Sequence, residues 1–301
     1  MNIREIEYFH DLVKQKNFSL VAKNFQVSQP TITLAIKRLE KELGATLFTR
    51  DPGRNQLRVT ISGQQFDEHA ISILHHLKVA QNEINNINQQ KIVLGLPPII
   101  TQKFFPSIAA KLEDEKLLEQ IIPIERGSAE LIKLLENGTI DMALLGSTSP
   151  IDHEQLYSQE FARSSFKIIV GDKSPFANKK KIRFSELRNE SFITLDEQSV
   201  HAKAIKQFSH MAHFRPKIIY QSNNPGVVQK MVENNVGIGF ISEIAIFQRV
   251  HVLDLVDDDQ PVFHISLAYR NDHLLTPAQQ EIVEVITGLE GEHMVGRTEK
   301  P

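Results

Sequence analysis

The stretch Ser28-Gln29-Pro30-Thr31-Ile32-Thr33-Leu34, continuing to Lys37 and Arg38, collects the residue types that read a base pair from the major groove. A glutamine amide suits adenine, an arginine fork suits guanine, and a threonine methyl can touch thymine. Gln29, Thr31, Thr33 and Arg38 are therefore the base-facing candidates, while Ser28 and Lys37 are placed to hold phosphates. Arg50, Arg54 and Arg58 follow as contacts to the backbone or minor groove. A second constellation lies further on, in polar residues at predicted strand ends and helix starts, where free backbone N–H groups attract a carboxylate. It comprises Pro98, Ile99 and Thr101, then Ser128 with Ser147 and Thr148, then Thr194 and His201 with Asn223 and Asn224. Lys103, Arg126 and His201 are available to pair with a second carboxylate. Ser128 and Ser222 read equally well as helix-cap and turn residues.

Other chemistries find no complete set. Cysteine is absent, which removes disulfide scaffolds, cysteine-ligated metal sites and thiol nucleophiles. His210 and His213 share a helix face but lack a third metal ligand at a convincing spacing. Gly237-Ile238-Gly239 is a fragment of no nucleotide-binding motif, and no nucleophile–base pair can be assembled. No catalytic residue, metal or cofactor is expected.

The elements that must position these groups follow from charge and periodicity. Residues 1–60 hold ten Lys/Arg against six Asp/Glu, a balance of +4, so that the remainder carries −7 of the chain's net −3. A basic head on an acidic body implies that the head meets an anion such as nucleic acid. At 301 residues the length fits two or three domains. No apolar run is long enough to span a membrane and the first residues lack a secretory core, so the cytoplasm is the expected location.

Helical spacing predicts a helix over 3–15, a second one opened by Ser19, and a third from the cap Ser28 to Gly44, with Pro30 in its first turn and Ile32, Ala35, Ile36, Leu39 and Leu43 buried. A small arginine-bearing hairpin follows over 50–60. From Ser62, Phe66, Ala70, Ile73, Leu77, Ala80, Ile84 and Ile87 recur in heptad steps, which fits either a dimer seam or a core-facing helix. From Lys91, strands and helices alternate, which predicts a parallel α/β sheet in two sets with a ligand cleft between them.

The order FSLVAKNFQVSQPTITLAIKRLEKELGATLFTR at residues 18–50 resembles the DNA-binding head of LysR-type transcriptional regulators. Leu135-Glu136-Asn137-Gly138-Thr139-Ile140-Asp141-Met142-Ala143 and Val236-Gly237-Ile238-Gly239-Phe240-Ile241 are similar to the family's later signatures, with a departure at Ser242-Glu243, where many members carry proline. The resemblance implies an α/β multidomain protein with a winged helix-turn-helix over 1–60, a linker and dimerisation helix over 61–90, and an effector domain over 91–301. Its two subdomains, about 91–161 with 265–301 and about 162–264, would resemble periplasmic binding proteins. The implied partners are double-stranded promoter DNA, a small organic acid, further copies of the chain in a dimer or tetramer, and RNA polymerase. The head beginning Met1-Asn2-Ile3-Arg4 and the stretch Gly95-Leu96-Pro97-Pro98-Ile99-Ile100 are similar to regulators of malolactic fermentation in lactic acid bacteria, which implies an activator and malate as its effector. The competing class is a solute-binding or enzymatic α/β protein with an accessory helical head, and the discriminating observation is whether small acids change a DNA complex.

Overall fold

The computed structural model describes residues 1–50, 56–247 and 249–291. Arg54 and the rest of the expected hairpin turn, residues 51–55, lie outside the described residues, as do 292–301. Two compact units emerge, Met1–Asn82 and Glu83–Pro301.

The first unit opens with α1 (Ile3–Gln15), α2 (Phe18–Asn24) and α3 (Gln29–Leu43). Asn2 caps α1 in a reciprocal box with Glu5. The cap of α2 is Asn17 and not Ser19: its side-chain oxygen accepts from the N–H groups of Ser19 and Leu20 at 3.0 and 3.1 Å. Ser28 caps α3 through the Thr31 N–H, and Gly44 closes it at φ +62°, where a side chain would be strained. Ile32, Ala35, Ile36 and Leu39 bury one stripe of α3, but Leu43, expected on it and in line with it, is 40% exposed at the helix end. Strands β1 (Phe48–Arg50) and β2 (Leu57–Val59) pair antiparallel as the wing. Glu40 binds that wing to α3, accepting from the Leu47 N–H at 2.8 Å. The helix α4 (Ile61–Asn88) is opened by Thr60, whose hydroxyl oxygen accepts from the Gly63 N–H at 3.0 Å; the expected start was Ser62. Phe66, Ala70 and Leu74 of α4 pack on the core around Phe9, whereas Ile73, Ile84 and Ile87 of the heptad stripe are exposed.

The second unit is built on one mixed sheet of ten described strands. Three parallel strands, β3 (Ile92–Leu96), β4 (Ile121–Glu125) and β5 (Met142–Ser147), are linked by α5 (Pro98–Asp114) and α6 (Ser128–Glu136). The long β6 (Leu156–Val170) follows, then the short β7 (Lys181–Ile182). A second parallel set of β8 (Ser191–Leu195), β9 (Lys217–Ser222) and β10 (Ile238–Ser242) is linked by α7 (Val200–Met211) and α8 (Pro225–Glu233). The chain ends through β11 (His251–Leu255), β12 (Val262–Arg270) and α9 (Pro277–Thr287).

The expected parallel sets are present, but the sheet as a whole is mixed. β12 runs antiparallel to both β5 and β6, and β6 antiparallel to β10 and β11. The long β6 joins the two sets, pairing with β12 along residues 156–165 and with β10 and β11 beyond. Two parallel lobes joined by antiparallel strands bring the carboxyl ends of β3, β4 and β8 toward a shared cleft. Asp141, 1% exposed, fastens the last turns of α4 to this unit: it accepts from the Val93 N–H at 2.7 Å and from the Asn86 amide at 3.2 Å.

Candidate nucleic-acid interface and ligand cavity

The first turn of α3 presents its polar groups outward. Ser28, Gln29, Pro30, Thr31, Lys37 and Arg38 are exposed, and Thr33 is half-buried. Gln29 accepts from the Ser19 hydroxyl at 3.2 Å, which fixes its amide and leaves the NH2 end facing outward. Thr31 shares its hydroxyl with Ser28 at 2.8 Å, and the Thr33 hydroxyl turns back to the Gln29 carbonyl at 3.1 Å, so methyl groups remain for any contact beyond the helix. Leu34, 59% exposed on the same helix, is an apolar neighbour to them that sequence reasoning left out of the candidate set. Arg38 has a partner that the sequence did not signal: its Nε binds the buried Glu5 carboxylate at 2.8 Å, tying α3 to α1. Arg50 and Arg58 are exposed on the two strands of the wing, with Arg58 paired to Thr49 in the ladder.

In the second unit a cavity of about 350 Å³ lies where the first turns of α5, α6 and α7 converge, a size within the range of small-molecule sites. Its deep wall is mostly apolar, with Ile99, Ile100, Leu195 and Phe263 buried. Phe263 can lie there because it packs over Gly146, where an added Cβ would come within 2.6 Å of its ring. The first N–H groups of each helix lack intrahelical acceptors and carry the positive end of the helix dipole, so three such ends favour an anion or a strong oxygen acceptor.

Of the sequence-predicted positions, Pro98, Ile99, Ser128, His201 and Asn223 line this cavity. Thr101, Ser147, Thr148, Thr194 and Asn224 do not line it. Thr101 donates to the Pro97 carbonyl at 2.9 Å, Ser147 to the Ser149 carbonyl at 2.6 Å and Thr194 to the Leu195 carbonyl at 3.1 Å. Asn224 caps α8 through the Gly226 N–H at 2.8 Å. Lys103 is likewise outside the lining. Glu125, Arg126, Glu130 and Asp196 line the cavity's more exposed part, and the Arg126 Nε is engaged by Glu130 at 3.0 Å. Glu125, Glu130 and Phe263 were missed, because a position facing a cavity between lobes has no periodic signal of its own.

His201 does not serve as the expected cation. Its ring is 2% exposed between Phe166 and Phe263, and burial lowers its pKa from 6.5 to about 3, so it stays neutral.

A family model described as "Bacterial regulatory helix-turn-helix protein, lysR family" matches residues 3–64, and one described as "LysR substrate binding domain" matches residues 86–289. The chain belongs to the LysR family. Among LysR-family relatives, a malolactic fermentation system transcriptional activator of Lactococcus lactis is 31% identical over 96% of this chain and 99% of its own length. Full-length CbnR complexed with target DNA shares the fold at a TM-score of 0.54 and 17% identity, covering 96% of this chain and all of that one. The effector-binding domain of QuiR in complex with shikimate does so at 0.60 and 17%, covering 68% and 99%. This LysR-family chain is thus a DNA-binding transcriptional regulator with an effector-binding domain, in a family of regulators and not of enzymes. Among its described residues no helix is long and apolar enough to cross a membrane.

Proposed function

We propose that the chain is a cytoplasmic transcriptional activator that reads promoter DNA with α3 and the wing and responds to a small organic acid in the cavity, malate being the first candidate. The observation that carries the acid reading is the convergence of three helix N-termini on one cavity. The malolactic activator similar along almost the whole chain supports malate and activation. In this reading residues 1–60 bind DNA, 61–90 link and dimerise, and 91–301 sense, with lobes of about 91–161 plus 265–301 and about 162–264. The exposed stripe of Ile73, Ile84 and Ile87 on α4 supports pairing of copies into a dimer and onward to a tetramer. Ligand held by both lobes favours one angle between them, which changes how paired heads engage DNA and RNA polymerase.

Gln29 is the cleanest test of the reading helix, since Arg38 also holds α1. Gln29→Ala is expected to weaken binding to the DNA upstream of the chain's own gene by about 1–3 kcal/mol while leaving non-specific binding unchanged. Wild-type affinity should fall steeply with salt, with a logarithmic slope of about −0.9 per neutralised phosphate. Fluorescence anisotropy across a salt series measures both, and equal losses on specific and random DNA would remove Gln29 from base reading.

A further inference from the structure

Two side chains of the cavity have their acceptor positions filled by main-chain amides. The Ser242 N–H lies 3.0 Å from His201 Nε2, and the Ser242 hydroxyl, which can either donate or accept, lies 3.1 Å from the same nitrogen, so the amide decides. A backbone amide only donates, so Nε2 supplies the lone pair and the proton of the neutral ring sits on Nδ1. On α6, the Gly146 N–H donates to Ser128 Oγ at 2.8 Å, leaving the hydroxyl proton to be given elsewhere. Neither the Nδ1 proton nor the Ser128 hydroxyl proton has an acceptor among the described residues. Both residues line the cavity, and both are more than nine-tenths buried, at 2% and 8% exposure. Each donor faces the cavity, where a ligand oxygen can take up a hydrogen bond that no protein group makes.

We propose that His201 is a specificity-determining residue of the cavity: a neutral imidazole fixed in its Nδ1–H form, which donates to an oxygen of the ligand from α7 as Ser128 does from α6. The inference rests on the proposed effector reading of this cavity and narrows it. The deep end recognises oxygen acceptors through neutral donors and helix N-termini, with no buried cation, and the charged groups Glu125, Arg126, Glu130 and Asp196 stand in more exposed positions. The chemical class selected is a small hydroxy- or keto-carboxylate that offers oxygens to both lobes.

The test uses the full-length chain in two measurements. Nitrogen-15 imidazole spectra of the ligand-free protein should show His201 protonated at Nδ1 and bare at Nε2; the opposite tautomer, or an imidazolium at neutral pH, overturns the proposal. Calorimetric titration with L-malate, L-lactate and pyruvate should then show that His201→Phe, which keeps a ring but no donor, weakens the best of these at least about tenfold. His201→Asn, whose amide nitrogen falls near the position of Nδ1, should recover most of that loss. Wild-type binding that His201→Phe leaves unchanged overturns the role of His201 alone. A correct tautomer in a wild-type protein that binds none of the three acids overturns the acid reading of the cavity, and the inference falls with it.

Discussion

Replacing Arg270 by alanine is expected to lower the unfolding free energy of the C-terminal unit by about 3–5 kcal/mol, which for a unit of this size is a fall in melting temperature on the order of 10 °C. Arg270 is 4% exposed at the end of β12. Its Nη1 donates to the Leu135 carbonyl at 2.8 Å, and its Nη2 pairs with the Glu83 carboxylate near the end of α4. His273 lies against the same carboxylate at 2.6 Å and, through its other nitrogen, against Gln279 Oε1 at 3.2 Å, in the capping box that opens α9. One guanidinium thus holds the ends of α4, α6 and β12 together. Alanine would leave Glu83 without its arginine and the Leu135 carbonyl with only its backbone donor, the Gly138 N–H at 3.0 Å, and removing one partner is the costly way to break a buried ion pair. Lysine cannot restore it, because a point charge does not span two acceptors in fixed directions. Calorimetric unfolding of Arg270→Ala and Arg270→Lys checks this, and a loss below about 1 kcal/mol in both would show that the network is not structural.

The second large effect concerns acid. With a folded pKa of about 3 against an ordinary 6.5, His201 resists protonation in the native state while the unfolded chain accepts the proton readily. The unfolded state therefore binds more protons between those values. Stability from this group is fully present above about pH 6.5 and is lost as pH falls toward 3, by up to about 5 kcal/mol in total. His201→Asn, which cannot titrate, should show a flatter decline over the same window. Parallel denaturant titrations at pH 7.5 and 4.5 measure the difference, and equal losses in wild type and variant would mean that His201 is protonated without penalty.

The head was legible because its signals are local. Ser28, Pro30 and Gly44 announce the ends of α3, and Ile32 to Leu39 its buried face. Asn17 replaced Ser19 as a cap because two polar residues two positions apart compete and only the chain's entry angle decides between them. In the second unit the parallel strands stood out as apolar runs, whereas the first two thirds of β6, Leu156 to Ser165, is rich in polar residues and reads as a loop until its pairing with β12 is seen. That pairing joins residues about a hundred positions apart, beyond any local pattern. The cavity was half legible for the same reason. Ser128 and His201 sit at helix starts, which sequence marks, but Thr101 and Asn224 bear the same marks, Thr194 those of a strand end, and all three spend their polar atoms on the backbone. Which of two equivalent hydroxyls faces a cavity is set by helix rotation and not by residue type.

If acid binding governs DNA reading, a nuclease footprint on the DNA upstream of the chain's own gene must respond to malate. Protection that shortens or shifts when malate is added is the expected result. Protection that malate leaves unchanged would contradict malate as the signal, and no protection at all would contradict the assignment of that DNA as the operator.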